Sequence, residues 1–336
     1  MQTIGTQSIQ FEHAPYILSS ASVVGKKEGE GPLGEKFDMI CADDKFGENT
    51  WEEAESTLQK ESTALVLGKA GLKPQDIRYI FAGDLLGQTI ATSFGLMDYN
   101  IPLFGLYGAC STAGESMALG AMCVAGGYAD KVITVTSSHF ASAEKQFRYP
   151  LEYANQRPES STWTVTGSGA YILGTDKTKV KITGITPGRI VDYGVRDSMN
   201  MGAAMAPAAC DTIFHHLNDF GTKPQDYDKI ITGDLGLVGQ EILIKLLKDK
   251  GYDISSVHTD CGIEIFDKET QGTDSGGSGC GCSAVTLSAH FLPRVESGEW
   301  KKILFVPTGA LLSTVSFNEG QNVPGIAHAV VIEHEE

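Results

Sequence analysis

The chain has 336 residues, 41% of them apolar, and a formal net charge of −16 at pH 7. This length is enough for one large domain or two smaller ones, each with a substantial core. The negative charge and the lack of a basic stripe argue against a nucleic-acid partner, because nothing would neutralise phosphates. No apolar run is long enough for a bilayer, and the first residues lack a secretory pattern. We therefore expect a protein that is not secreted and has no transmembrane segment.

The first half of the chain alternates predicted strands with predicted helices. A strand follows Pro15, a Gly- and charge-rich loop covers 25–49, and a helical pattern runs over 51–71. Further strands are predicted at about 78–82 and 131–136, and a strand with a glycine break at 162–174. This alternation favours parallel crossovers and an α/β fold.

The centre of this half is the stretch 101–128. Its beginning reads as a short buried strand, and Met117, Ala121 and Ala125 then recur at helical spacing. Cys110 lies on the turn between the two, with Ser111 as a capping residue. A helix N-terminus lowers the pKa of a thiol, so this position predicts a reactive cysteine with backbone donors above it. The alternative is a small buried apolar side chain.

A repeat divides the chain into two similar halves. The stretches 73–85 and 223–235 share eight of thirteen residues, beginning Lys-Pro-Gln-Asp and ending Gly-Asp-Leu. A helix ending in glycine precedes each stretch, and a glycine-rich turn at 276–282 precedes a second central helix. Repeats of this kind indicate duplication. We predict halves at 1–175 and 176–336, with stacked mixed sheets and two central buried helices whose starting loops meet.

A duplicated α/β chain with a cysteine at the start of its first central helix resembles the thiolase and ketoacyl-synthase III superfamily. The run GLYGACSTAGESMALGAMCVAGGY, with NQRPESSTWTVTGSGA further on, is similar to the stage V sporulation protein AD family of spore-forming bacteria. The similarity covers essentially the whole chain. It implies a thiolase-like homodimer that binds dipicolinic acid (pyridine-2,6-dicarboxylate) and takes part in moving its calcium complex across the spore inner membrane. Such a protein would be cytoplasmic or peripheral at that membrane, with partners from the same sporulation operon, acting in sporulation and spore germination.

The condensing enzymes that this chain resembles add a His and an Asn to the thiol. The matching segments here carry Asp234 in place of a histidine-containing run and Gly276 to Cys280 without an asparagine. A carboxylate is the wrong charge beside an oxyanion. We therefore predict a binding protein with no catalytic residues and no cofactor. The alternative is an acyl-CoA-dependent acyltransferase or ketoacyl synthase that uses Cys110 as nucleophile.

The predicted ligand site takes residues from both halves. His258 is expected near Cys110, as a base or as a positive charge for a dianion; the alternative is a structural histidine at the surface or in the core. Gly309 and Ala310 are carried over from the late turn that faces the thiol in the superfamily, and Ser111 completes the set. We predict no metal site, because Cys280 and Cys282 lack further ligands at zinc spacing.

The segment 137–161 is rich in aromatic residues and arginine, a composition typical of interface cores. The residues concerned are Phe140, Phe147, Arg148, Tyr149, Tyr153 and Arg157. Its place in the superfamily implies a dimer interface; the alternative is a solvated loop.

Overall fold

The computed structural model describes residues 2–147 and 156–336. Within them, two five-stranded arrays have the same strand order and meet at one bridging pair, Tyr16 with Lys181. A short hairpin of Gln2–Ile4 and Ser8–Gln10 extends the second array. The chain is thus a mixed α/β protein of the predicted class.

The first array contains the strands of the first half. In chain order they are β1 (Tyr16–Val24), β2 (Tyr79–Gly83), β3 (Leu103–Gly105), β4 (Lys131–Ser138) and β5 (Gly167–Gly174). The spatial order is β3-β2-β4-β5-β1. β2 runs parallel to β3 and β4, whereas β5 is antiparallel to β4 and β1.

The second array repeats this arrangement. Its strands are β6 (Val180–Thr186), β7 (Lys229–Thr232), β8 (His258–Asp260), β9 (Lys302–Val306) and β10 (Ala329–His334), in the order β8-β7-β9-β10-β6. β7 is parallel to β8 and β9, and β10 is antiparallel to β9 and β6. The boundary between halves at 175/176 remains a prediction about domains.

The main helices connect and cover these strands. They are α1 (Trp51–Ala70), α2 (Ile90–Leu96), α3 (Thr112–Ala125), α4 (Met201–Phe220), α5 (Gly236–Asp249) and α6 (Cys280–Thr286). Reciprocal hydrogen bonds between Thr50 and Glu53 cap α1, and the Asn200 side chain caps α4. Both helices end on a glycine in the left-handed region, Gly71 and Gly221.

Shorter elements complete the described chain. Helical turns are Lys26–Gly29, Gly34–Lys36, Pro74–Asp76, Gly87–Thr89, Met97–Tyr99, Phe140–Phe147, Pro224–Asp226, Cys261–Ile265, Lys268–Gln271, Leu287–Phe291, Leu292–Glu296 and Thr314–Asn318. Short strands are Met39–Ile40, Trp163–Thr164, Gly277–Ser278, Thr308–Ala310 and Gly325–Ala327. The predicted loop at 25–49 therefore contains two helical turns and a two-residue strand.

Side chains on the strands alternate between two layers of core. On β9, Phe305 packs in the central layer with Met117 of α3 and Val285 of α6, whereas Leu304 and Val306 pack outward against α4 and α5. A third cluster packs α1 against the outer face of the first array. Strands buried on both faces are continuously apolar. The two central helices, α3 and α6, lie between the two arrays, as predicted from the repeat.

One strand differs from its prediction. The stretch beginning at Ile101 was expected to form a buried strand, yet β3 is exposed along its whole length, with Phe104 50% exposed. It lies at the edge of the sheet and pairs with β2 on one side only, among the described residues. An apolar sequence alone does not distinguish a central strand from an edge strand.

No helix within 2–147 and 156–336 combines the length and apolar character needed to cross a membrane.

Candidate functional site

Cys110 lies on a sharp turn between β3 and α3. Ala109 has a φ of 50°, in the left-handed region that is uncommon for residues other than glycine, and a bridge joins Gly108 to Cys110. Cys110 directly precedes Ser111, the N-cap residue of α3. Strained backbone of this kind is found at sites where a side chain must be held in one direction. The predicted position of the thiol at the helix start is therefore correct.

The second half presents a carboxylate to this thiol. Asp234 follows β7 and is 1% exposed. Its carboxylate accepts hydrogen bonds from Thr308 Oγ1 at 2.7 Å, from the Gly279 backbone N–H at 2.9 Å and from Ser278 Oγ at 3.2 Å. Ser278 lines the same cavity as Cys110, and Gly309, which follows Thr308, packs against the Cys110 turn. Asp234 thus lies at the centre of a polar network that joins the Cys110 turn to three segments of the second half.

This carboxylate reverses the prediction about the reactivity of Cys110. Burial, and then the negative charge of Asp234, raise the pKa of the thiol well above its usual value. The expected lowering of the pKa by the helix N-terminus was wrong, because the thiol is buried and lies beside a negative charge. Burial also raises the pKa of Asp234 itself, against the donors that lower it. At neutral pH, Cys110 is a protonated thiol.

Two further predicted residues lie at the thiol, and Ser111 contributes differently than expected. Gly309 packs on the turn so closely that a Cβ atom would lie 2.4 Å from the Gly108 carbonyl oxygen, and Ala310 lines the cavity beside Cys110. Ser111 is fully buried and donates its hydroxyl to the Gly108 carbonyl at 2.6 Å. Its side chain therefore stabilises the turn.

His258 does not contact Cys110. Its Nε2 lies 3.0 Å from Thr232 Oγ1 and its Nδ1 lies 3.1 Å from Gln240 Nε2, and the side chain is buried. Burial lowers its pKa to about 3, so it is neutral at physiological pH. The expectation of a base or a positive charge beside the thiol is corrected on both counts. The register explains this placement, because β8 pairs Asp260, and not His258, with the last residue of β7.

A small cavity lies above the thiol. Its volume is about 30 Å³, enough for one or two ordered water molecules. The lining residues are Leu85, Tyr107, Ala109, Cys110, Ala143, Phe147, Thr164, Met201, Ser278, Ala310 and Leu312. Phe147 and Leu312 also border two outer cavities of about 360 and 410 Å³. We call the three together the thiol cleft. Its larger outer part has the size typical of small-molecule sites.

The cleft is lined by aromatic, amide and hydroxyl side chains. Beyond the inner cavity these include Gln88, Gln146, Ser313, Thr314 and Phe317. Within the part of the chain that the structure describes, none of the lining residues carries a charge, although the chain as a whole is strongly acidic. Tyr107, Phe147 and the amides were absent from the predicted site, because they come from separate segments whose convergence has no local sequence signal.

The segment predicted as a dimer interface makes contacts within the chain where the structure describes it. Phe140 stacks on Trp163 with 3.9 Å between ring centroids, and buried Arg157 forms ion pairs with Glu144 and Asp274. Phe147 lines the thiol cleft. Arg148, Tyr149 and Tyr153 lie outside the described residues. Among those described, no cluster of three metal-ligating side chains occurs.

The duplicated sheets, the two central helices and a cysteine at the first helix tip define a thiolase-like protein. Solved structures of low identity share this fold. They include 3-oxoacyl-[acyl-carrier-protein] synthase III from Aquifex aeolicus VF5 (13% identity, 95% of this chain and 99% of that chain, TM-score 0.58). A variant of Xanthomonas campestris OleA bound with cerulenin is similar (14%, 96% and 97%, 0.62), as is the Acat5 thiolase from Ascaris suum in complex with coenzyme A (12%, 96% and 100%, 0.59).

Sequence comparison is more specific. The family model of stage V sporulation protein AD matches residues 5–333. The stage V sporulation protein AD of Bacillus subtilis (strain 168) is 40% identical over 333 residues, covering 99% of this chain and 98% of the relative. The chain therefore belongs to the stage V sporulation protein AD family, which confirms the predicted family and fold.

Proposed function

We propose that this protein binds dipicolinic acid in the thiol cleft without covalent chemistry, and that it takes part in calcium-dipicolinate uptake or release by spores. The observation that carries the non-covalent part is the buried carboxylate of Asp234 beside the Cys110 thiol, in a site whose condensing residues are replaced. The ligand is the one that the family resemblance implies. The aromatic walls of the cleft suit a planar ring, which stacks on aromatic side chains, while amides and hydroxyls donate to carboxylates.

Acyl transfer from acyl-CoA is the second candidate, and the enzymes that share the fold favour it. It needs a thiolate, usually formed by an adjacent base. Here the group next to Cys110 is an acid, and His258 is hydrogen-bonded elsewhere. Incubation with acetyl-CoA followed by mass spectrometry distinguishes the two, because only the transferase leaves an acetyl group on Cys110.

Titration calorimetry tests the binding function directly. We expect pyridine-2,6-dicarboxylate to bind saturably to the full chain, with and without calcium. Tyr107→Ala removes one aromatic wall and should weaken binding by about tenfold, a change of about 1.4 kcal/mol. Tyr193→Ala, also at an exposed tyrosine but outside the cleft, should bind as the wild type does. Absence of heat with both ligand forms would refute the proposal.

We further propose that the protein is a homodimer joined at β3. The exposed apolar side chains of α2, the following turn and β3 form what we call the apolar edge: Ile90, Phe94, Met97, Leu103 and Phe104. An unpaired strand edge with such side chains is prone to pair with another copy, and antiparallel pairing of identical strands closes a twofold dimer. Because segment 137–161 is engaged within the chain where it is described, this edge is the better interface.

Phe104→Asp should convert the dimer into monomers, because a carboxylate would be buried without a partner in the apolar interface. Sedimentation should give the wild type twice the chain mass of 35.9 kDa and the variant the mass itself. Tyr193→Asp places the same charge on another exposed aromatic and should remain dimeric. A monomeric wild type would contradict the proposal.

We also propose that the dimer lies at the inner membrane of the spore, with partners from its own operon.

A further inference from the structure

The two halves present an acid to each other's thiol. Cys110 and Cys280 each lie at the tip of a central helix, and each follows a residue with positive φ, Ala109 at 50° and Gly279 at 103°. Cys110 faces Asp234, from the Gly-Asp-Leu motif of the second half. The Cys280 thiol donates to the Ser137 carbonyl at 2.9 Å. Burial, and then the charges of Glu55 and of Asp84 from the same motif of the first half, raise its pKa. The duplicated motif therefore brings carboxylates to both helix-tip thiols.

Asp234 cannot turn away from Cys110. Its two carboxylate oxygens are held by Thr308, Ser278 and the Gly279 N–H, and the side chain has almost no solvent contact. Ionising the thiol would place two negative charges close together at a buried position, where bulk solvent screens them little. Without the aspartate charge, burial would still raise the pKa of Cys110, but no carboxylate would oppose the N-terminus of α3, which favours a thiolate.

We propose that Asp234 is a positioning residue that locks Cys110 in an unreactive thiol form, so that the site contains a latent nucleophile. This inference goes beyond the proposed binding function and does not depend on the identity of the ligand. The other titratable groups that face Cys110 are the Tyr107 hydroxyl and the thiols of Cys280 and Cys282, and Asp260 lies behind Asp234. Among the described residues, Asp234 is the carboxylate whose charge acts most strongly on the thiol.

Alkylation by iodoacetamide tests the proposal on the full chain. The sulfur of the thiolate forms a bond to the methylene carbon, iodide leaves, and the thiol proton passes to the buffer. The rate at Cys110, followed by mass spectrometry of its peptide, therefore reports the thiolate fraction. Asp234→Asn preserves the shape and one acceptor oxygen. It should react at least about tenfold faster near neutral pH, with the midpoint of its pH–rate profile lowered by about one unit or more.

Controls separate this effect from loosening of the fold. Asp84→Asn is the matched variant at the repeated position and should leave the Cys110 rate unchanged. Cys110→Ser in the Asp234→Asn background should abolish the added label. Equal rates in Asp234→Asn and wild type, with unchanged circular dichroism, would overturn the proposal.

A measurement on the unmodified chain covers the case in which Asp234→Asn fails to fold. Thiolate absorbance, taken as wild type minus Cys110→Ser, should show Cys110 titrating above the range of an ordinary thiol. Titration at or below that range would overturn the proposal.

Discussion

Replacing Gly309 by alanine is expected to destabilise the protein by about 3 kcal/mol and to abolish ligand binding, because overpacking against rigid backbone forces a shift. The added Cβ would lie 2.4 Å from the Gly108 carbonyl oxygen and 2.9 Å from the Ser111 backbone nitrogen. Neither atom belongs to a flexible side chain, so Thr308–Ala310 or the Cys110 turn must move. Denaturant unfolding and calorimetry with dipicolinate measure the two effects.

Gly68→Ala is the matched control. Gly68 lies within α1, and an added Cβ would meet no atom within 4 Å. Alanine has the higher helix propensity, so this variant should gain up to about 1 kcal/mol and bind normally. If Gly309→Ala were as stable and as active as Gly68→Ala, the close contact between the late turn and the Cys110 turn would be wrong.

The second large effect is on the pH dependence of stability: we expect the unfolding free energy to be greatest at about pH 6. Burial raises the pKa values of Glu28 and Asp260 to about 7. Each is protonated in the folded state and ionised in the unfolded state between its ordinary pKa and about 7. The folded state then binds more protons, so the unfolding free energy falls as pH rises through that window. Burial and repulsion from Asp84 raise the pKa of Glu55 in the same direction.

Buried histidines produce the loss of stability on the acid side. Burial lowers the pKa values of His216 and His258 to about 3, and those of His290 and His328 to about 4. The unfolded state binds these protons below about pH 6.5, and the folded state does not. The unfolding free energy therefore falls as pH decreases through this range, opposite to the effect of the carboxyls.

Two variants separate these contributions in urea unfolding. Between about pH 4.5 and pH 8, the stability of Glu28→Gln relative to wild type should rise by about 3 kcal/mol, because the neutral amide avoids the ionisation penalty. His258→Gln should gain relative to wild type as pH falls instead. Parallel pH profiles of the unfolding free energy for wild type and Glu28→Gln would contradict the raised pKa of Glu28 in the folded state.

Much of the architecture was predictable because its signals are local or repeated. The tetrapeptides at 73–76 and 223–226 form matching turns, in which Asp76 and Asp226 each accept from the backbone N–H three residues earlier. Helix α1 begins at its predicted residue, Trp51. Its last residue is Ala70, and the expected Gly71 follows as the cap. The exposed state of β3 was not predictable, because burial depends on what lies beyond the sheet edge.

The sequence by itself determined the family, the α/β class and the position of Cys110 at a helix start, since motif identity and periodicity are properties of the chain. It also placed Asp234 where the resembling enzymes have a histidine-containing run. Only the tertiary structure decided the chemical state of the thiol, because that depends on burial and on which charge lies next to it. The strand register likewise decided the position of His258. In β8 it is Asp260, two residues after His258, that pairs with the last residue of β7, and the imidazole stays beside Thr232 and Gln240.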